Sequence, residues 1–171
     1  MIKHYTEKEV NEELKNLKII ADTREQKNQH ILEYCGLNNI EVVSRKLDIG
    51  DYSAMLGDMT FERSIAIERK ANLEELCANF AQERERFRHE LTAARAFGTK
   101  IHLIIEDASW NDVFLGNYSS KLPAQSLVGT LLAWQVRYNV TVNFCKRQNT
   151  PRLIYETLKY AAKQELLYGS S

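Results

Sequence analysis

The chain has 171 residues, a formal net charge of zero, 44% apolar residues and 27% charged ones, the profile of one soluble domain with a core of its own and no room for a second of similar size. No run is long enough to span a membrane and the N-terminus is polar rather than leader-like, so the expectation is a cytoplasmic protein with no membrane partner. Zero net charge also argues against a large, undirected nucleic-acid surface, which shows as a basic excess.

Thr6 followed by Glu9 forms a capping box that opens a short helix through about Leu17. Lys18 to Ala21 is a buried strand that stops at Asp22. A helix runs from about Asn28 to Tyr34, with Gly36 expected as its C-terminal cap. Ile40 to Leu47 is rich in β-branched residues and predicts a second strand. After a bend at Gly50-Asp51, Tyr52 to Leu56 and Thr60 to Arg69 predict two strands joined by a turn at Gly57-Asp58. From Leu73 the period becomes helical, with Phe80, Phe87, Leu91, Ala94 and Phe97 on one face and Gly98 at the end. Ile101 to Ile105 is another strand, ending at Glu106-Asp107. A loop with Trp110, Phe114 and Tyr118 follows, then a helix from about Pro123 to Tyr138 with proline at its first turn. Val140 to Phe144 is the last strand and Arg152 to Leu167 the last helix.

A strand meander followed by alternating helices and strands predicts an α/β fold with a central mixed sheet flanked by helices. The expected division is an N-terminal helical extension over residues 1–17, set apart from the core, a single domain over residues 18–168, and a frayed tail over 169–171. Cys35, Cys77 and Cys145 fit no metal-binding spacing and are expected as small core residues in a reducing compartment. The four histidines have no ligand spacing either, which argues against zinc. The aromatic residues Trp110, Phe114 and Tyr118 could stack on unpaired bases, but anchoring in the core is the simpler expectation. Two basic patches stand out: one from Arg84 to Lys100, with Arg84, Arg86, Arg88 and Arg95, and one of Lys146, Arg147 and Arg152.

The chemistry concentrates in Ser64-Ile65-Ala66-Ile67-Glu68-Arg69-Lys70. Successive side chains of a strand point to opposite faces, so Ile65, Ile67 and Arg69 share one face while Ala66, Glu68 and Lys70 share the other. A carboxylate and an ammonium therefore project side by side from a strand with a greasy back. Taken alone, Glu-x-Lys reads as an ion pair worth ~0–1 kcal/mol. Asp22 at a strand end, and Asp51 after a glycine that permits a bend, change the balance. If Asp22, Asp51 and Glu68 converge, each pair at about 4 Å costs on the order of 4 kcal/mol at an effective dielectric near 20. Three pairs would cost roughly 12 kcal/mol, comparable with the stability of a domain. Such a cluster persists only by protonation or by binding a cation, and hard oxygen donors select Mg²⁺, with Mn²⁺ as substitute. Lys70 beside a scissile phosphate would orient water and offset the charge building on phosphorus. The pattern is that of a Mg²⁺-dependent phosphodiesterase.

Asp22-Thr23-Arg24-Glu25, Gly50-Asp51-Tyr52 and Ile67-Glu68-Arg69-Lys70 with an acid at Glu74 together resemble the XPF-type structure-selective nuclease domain. That family carries the signature GD…ERK-x-x-x-D on a restriction-endonuclease-like fold. The resemblance covers about residues 18–166, includes the Leu127 to Phe144 region, and is similar to stand-alone phage and prophage members. It implies a DNA endonuclease leaving 5′-phosphate and 3′-hydroxyl ends, acting on branched, flap or junction DNA in recombination, replication or repair. Asp51 and Glu68 would be the principal metal ligands, with the Arg69 carbonyl nearby. Asp22 would complete the acidic cluster, and Lys70 would be the catalytic lysine. Arg24, Arg69, Arg84 and Arg86 would meet DNA, with Arg69 structural or in indirect contact with a phosphate. Glu25 and Glu74 would be acids behind the ligands. Glu74 departs from the family aspartate, and Asn72 with Glu74 and Glu75 has a simpler role at a helix N-terminus. The resemblance also implies a homodimer paired through the Leu127 to Phe144 region, and no small-molecule cofactor.

Two other functions compete. One is a non-catalytic DNA-binding or scaffold subunit of a nuclease heterodimer, which would be expected to have lost an acid or the lysine. The other is a restriction-type nuclease cutting a fixed sequence, which linear duplex would reveal.

Overall fold

Strand β1 (Lys18–Ala21) is paired along both edges, and the rest of the sheet is laid out from it. The computed structural model describes residues 5–82 and 84–169, without the side chains of residues 81, 82 and 84. On one side β1 pairs in parallel with β2 (Val42–Ser44), and on the other antiparallel with β3 (Tyr52–Leu56). β4 (Met59–Thr60) returns on β3 through the turn at Gly57-Asp58, as the sequence predicts. β5 (Ile65–Lys70) then pairs antiparallel with β3, and β6 (Lys100–Glu106) and β7 (Val140–Cys145) continue in parallel. The order is β2-β1-β3-β5-β6-β7, with β4 alongside β3.

The helices cover both faces. α1 (Glu7–Glu13), α2 (Gln29–Leu37) and α7 (Thr150–Tyr168) lie on one, burying Val10, Ile31, Ile154 and Leu158 against Ile19, Ile65, Ile67 and Ile104. α3 (Leu73–Gln82), α4 (Arg84–Phe97), α5 (Trp110–Leu115) and α6 (Ala124–Tyr138) lie on the other, where Leu76, Leu91 and Leu131 meet Ala66, Leu103 and Ile105. The mixed sheet flanked by helices is the fold class expected. The period-2 alternation in β5 and β6 divides the two cores: Ile65, Ile67 and Ile104 face one way, Ala66, Leu103 and Ile105 the other.

The differences from expectation have physical causes. The leading helix is not set apart from the core: Val10, Leu14 and Leu17 are buried in it. Its capping box is present, with Thr6 and Glu9 bonded reciprocally. α2 runs through Gly36, and the left-handed residue that ends it is Asn39, whose short amide side chain tolerates φ 54°. Of Ile40 to Leu47 only Val42–Ser44 pairs as strand, because Leu47 leaves the sheet to bond Asp22. The long strand expected from Thr60 is broken by a turn at residues 62–64. The loop at Trp110 is a short helix, capped by Ser109, whose Oγ accepts from the Asp112 N–H. Trp110 packs on Phe144 and Tyr118 donates to the Leu122 carbonyl, so these two serve as anchors, while Phe114, stacked on Trp110, is 60% exposed. Cys35 and Cys77 are buried thiols and Cys145 is half-buried. Gly169 is exposed coil; Ser170 and Ser171 lie outside the described residues.

Strand direction places the chemistry. β3 is antiparallel to β1 and β5, so its first residue sits at the ends where those two strands finish. Asp22, Asp51, Glu68 to Lys70, Glu106 and Lys146 all emerge along that one edge of the sheet.

Candidate active site

Gly50 sets the position of Asp51. Its φ of +74° is left-handed, and a Cβ there would sit 2.8 Å from the Ile67 carbonyl oxygen; only glycine fits both constraints. The next residue is thereby brought against β5, where the Asp51 N–H donates to the Ile67 carbonyl at 2.7 Å. The Asp51 carbonyl accepts from the Asp22 N–H at 2.8 Å, and Asp51 Oδ2 accepts from the Arg69 N–H at 2.7 Å. Asp51 is thus tied by backbone to both neighbouring strand ends.

Glu68 and Lys70 project from the same face of β5, as alternation requires. Lys70 Nζ donates to Glu68 Oε1 at 2.7 Å, with the two side chains only 9% and 11% exposed. Asp51, Glu68 and Lys70 line one cleft of about 360 Å³. Glu75, Asn79 and Glu90 contribute from α3 and α4, and Arg24, Lys27 and Arg86 stand around it. Burial and the adjacent Glu68 push the Asp51 carboxyl well above its ordinary range, against the opposing Arg69 N–H and Lys70 charge. Burial would lower the Lys70 ammonium, but the charge and hydrogen bond of Glu68, with Asp51 behind it, raise it above the usual lysine value. Lys70 is therefore a fixed cation at neutral pH. Burial and Glu68 also raise Glu90, countered by Arg86 and Arg24.

Asp22 is a correction to the expected acidic cluster. Its side chain is not among those that line the cleft with Asp51 and Glu68. Oδ1 accepts from the Arg24 N–H at 2.8 Å and from Arg24 Nε at 2.7 Å, while Oδ2 accepts from the Leu47 N–H at 2.6 Å. Burial raises Asp22, but these bonds more than offset it and leave the group below its ordinary value. All its strong acceptor positions are used in fixing Arg24 and the segment after β2. Among the described residues, no three His, Cys, Asp or Glu side chains converge as a metal-holding group. Asp51 and Glu68 do suit Mg²⁺, which uses one or two carboxylates and completes its shell with water and phosphate oxygens. Burial first, and then the Glu68 charge, raise the Asp51 carboxyl by more than the Arg69 N–H and Lys70 lower it, so a cation between the two carboxylates would relieve both.

Arg69 is buried, which fits the structural one of the two roles expected of it. Facing away from Glu68 and Lys70, it donates from Nε and Nη2 to the two oxygens of Glu106 at 2.9 and 3.1 Å, and from Nη1 to Glu25 at 3.3 Å. Glu106 is fully buried and also bonds His30 Nε2 at 2.8 Å. Burial raises Glu106, but the Arg69 and His30 bonds outweigh it and lower the group. Glu25 is raised by burial, which Arg69 only partly offsets.

Of the other expected residues, Arg24 and Arg86 line the cleft, and the Arg84 side chain lies outside the described residues. Glu74 is exposed and directed at Ser119 Oγ and N–H, 3.4–3.5 Å away. The helix-start role holds for its neighbour: Asn72 Oδ1 accepts from the Glu75 N–H, and Glu75 accepts from the Ala71 N–H. Glu75 is also the α3 acid that reaches the cleft. Glu90 and Glu106 went unassigned in the sequence. Glu106 carried the signal that singled out Asp22, an acid closing an apolar strand, and Glu90 stands one helical turn from Arg86, 3.5 Å from its Nε.

Among the described residues no helix is long and apolar enough to cross a membrane. No curated protein sequence matches the chain. Solved structures share its fold, among them two of one protein. XPF from Aeropyrum pernix superposes with a TM-score of 0.63 at 17% identity, over 86% of this chain and 66% of that one. XPF from Aeropyrum pernix in complex with DNA gives 0.55 at 18%, over 86% and 65%. The chain thus spans just under two thirds of the length of these solved relatives. A family model, that of the ERCC4 domain, matches residues 21–156. Since that match runs from the end of β1 into α7 and takes in Gly50-Asp51 and Glu68-Arg69-Lys70, the chain belongs to the ERCC4 domain family.

Proposed function

We propose that the protein is a Mg²⁺-dependent DNA endonuclease that hydrolyses phosphodiester bonds in branched, flap or junction DNA during recombination, replication or repair. The observation that carries this is the meeting of Asp51, Glu68 and Lys70 in one cleft. Family membership supports the activity, and a solved relative in complex with DNA supports the substrate class.

Asp51 and Glu68 would hold the cation, Mg²⁺ or Mn²⁺ in its place. When bound, it supplies Lewis-acid polarisation of the phosphate and activation of water. The Arg69 N–H fixes Asp51 Oδ2 and so orients the other carboxylate oxygen. Lys70, kept charged by Glu68, orients the attacking water and stabilises charge on the phosphorane oxygens. A water oxygen bonds to phosphorus and the P–O3′ bond breaks. The proton released by water is balanced by one taken up at O3′, leaving 5′-phosphate and 3′-hydroxyl ends. Arg24 and Arg86 supply fixed positive charge to flanking phosphates. We also place homodimer pairing on α6, where Leu132 and Val136 are 48% and 89% exposed.

The test is a substrate panel: labelled forks, flaps, four-way junctions and linear duplex, each with Mg²⁺ and with EDTA. Mg²⁺-dependent nicks near the branch point support the proposal. Discrete bands from linear duplex would instead indicate a restriction-type enzyme. Binding without any cleavage under either Mg²⁺ or Mn²⁺ would indicate a non-catalytic subunit.

A further inference from the structure

The edge of the sheet that carries the active site also carries a second cleft, which hydrolysis does not use. β5, β6 and β7 run parallel and in register, Lys70 beside Ile105 and Ile105 beside Phe144. Lys146 therefore leaves β7 two residues past the level of Lys70, two strand spacings or roughly 10 Å across the sheet. There His30, Asp107, Lys146, Arg147 and Gln148 line a shallow cleft of about 590 Å³. The two clefts are neighbours. Gln26 and Lys27, on the lining of the active site, lead directly into α2, which carries His30. The wall between them is the Arg69–Glu106 pair: Arg69 lines the first cleft, and Arg147 Nη1 reaches Glu106 Oε2 at 3.4 Å from the second.

The exposed lining of this cleft carries two bases, Lys146 and Arg147, against one acid, Asp107. Glu106 is fully buried and bonded to Arg69, His30 and, at 3.4 Å, Arg147 Nη1, so its charge is met within the protein and Arg147 keeps its remaining guanidinium nitrogens for a ligand. Asp107 is the exposed acid, and its Oδ1 accepts from the Arg147 N–H at 3.0 Å. Against it stand Lys146 and Arg147, both exposed, with Lys27 at the junction of the two clefts. A polymer cut at Asp51 and Glu68 must leave the active site in some direction, and this adjoining face carries phosphate-binding side chains.

We propose that the cleft of His30, Lys146, Arg147 and Gln148 binds the sugar–phosphate backbone of the DNA as it runs on from the active site. The inference rests on the nuclease function above. It assigns Lys146 and Arg147 to phosphate contacts that hold the strand in register, with no role in base recognition.

The test is DNA binding by fluorescence anisotropy across a salt series. It uses the full chain carrying Asp51→Asn so that nothing is cut, and a labelled flap duplex as probe. Lys146→Glu and the double variant Lys146→Ala/Arg147→Ala are compared with Lys100→Ala, at the opposite end of β6. Each lost phosphate contact lowers the slope of log K against log salt by about 0.9 on duplex DNA. The double variant should lose between about 1 and 2 in slope and bind at least roughly 10-fold more weakly at low salt, while Lys100→Ala stays unchanged. Lys146→Glu guards against any disturbance of Glu106 by loss of Arg147, and should weaken binding at least as much as loss of one contact. Unchanged slope and affinity in both variants, or an equal loss in Lys100→Ala, overturns the proposal. Should the otherwise unmutated protein cut DNA while these slopes stay unchanged, only this inference fails. A folded protein that neither binds nor cuts DNA removes the nuclease function along with it.

Discussion

The main-chain N–H of Arg69 donates to Asp51 Oδ2 at 2.7 Å, while the Arg69 side chain crosses to the opposite face of the sheet and closes on Glu106. One residue thus orients an acid of the cleft by its backbone and anchors β5 to β6 by its guanidinium. In the proposed site the Glu-Arg-Lys triplet has a role for each member: Glu68 and Lys70 for the chemistry, Arg69 for holding the strand that presents them.

Gly50 is the hinge on which Asp51 depends. Gly50→Ala forces a side chain into a left-handed conformation and against the Ile67 carbonyl. It should cost on the order of 1–3 kcal/mol in urea or thermal unfolding and lower cleavage more than 10-fold by displacing Asp51. An alanine variant of wild-type activity would show that Asp51 needs no such placement.

Burial of the Asp51 carboxylate, with the Glu68 charge beside it, makes a stability prediction in the absence of cation. Asp51 ionised beside Glu68 costs the folded state, because its folded carboxyl titrates above the unfolded value of 3.8. Asp51→Asn, which keeps an acceptor for the Arg69 N–H, should raise the thermal midpoint at pH 7 in EDTA by roughly 2–4 °C, corresponding to about 1 kcal/mol. Adding Mg²⁺ should raise the midpoint of the unmodified protein by mass action and leave Asp51→Asn unmoved. Asp22→Asn should still respond to Mg²⁺, since that carboxylate is engaged by Arg24 and Leu47. Loss of the Mg²⁺ response in Asp22→Asn would return Asp22 to the metal site.

Sequence and structure agree best where one periodicity decided the outcome. Alternation in β5 placed Glu68 beside Lys70 and Arg69 behind them, because a strand leaves a side chain only two directions. Gly50 announced a bend before Asp51 for a similar reason. Asp22 misled because a strand-end position fixes the backbone but not the side chain, and Arg24, two residues on, captures the carboxylate. Glu75 and Glu90 were hidden because their approach to the cleft depends on how α3 and α4 pack. Helix spacing does not specify that packing. The Arg69–Glu106 pair joins parallel strands separated by a whole helical crossover, a distance over which no local pattern reports contact.

Glu106→Gln tests that buried pair. Removing one partner of a buried ion pair costs about 3–5 kcal/mol, and about 3 is expected because the amide oxygen still accepts one Arg69 bond. The sign with pH follows from the lowered Glu106 carboxyl. Its stabilisation is fully present above the unfolded value of 4.5 and is lost as pH falls through the lower folded value. Chemical denaturation from pH 7 down to pH 3 should show the unmodified protein losing its advantage over Glu106→Gln below about pH 4.5. A constant difference across that range would mean the pair contributes nothing through charge.

The most direct measurement is single-turnover cleavage of a labelled fork with Mg²⁺ by the unmodified protein, Lys70→Ala and Asp51→Asn, each confirmed as folded by circular dichroism. The site proposed here predicts Mg²⁺-dependent nicking that falls at least about 10²-fold in either variant. Cleavage by Lys70→Ala or Asp51→Asn at the unmodified rate would contradict it.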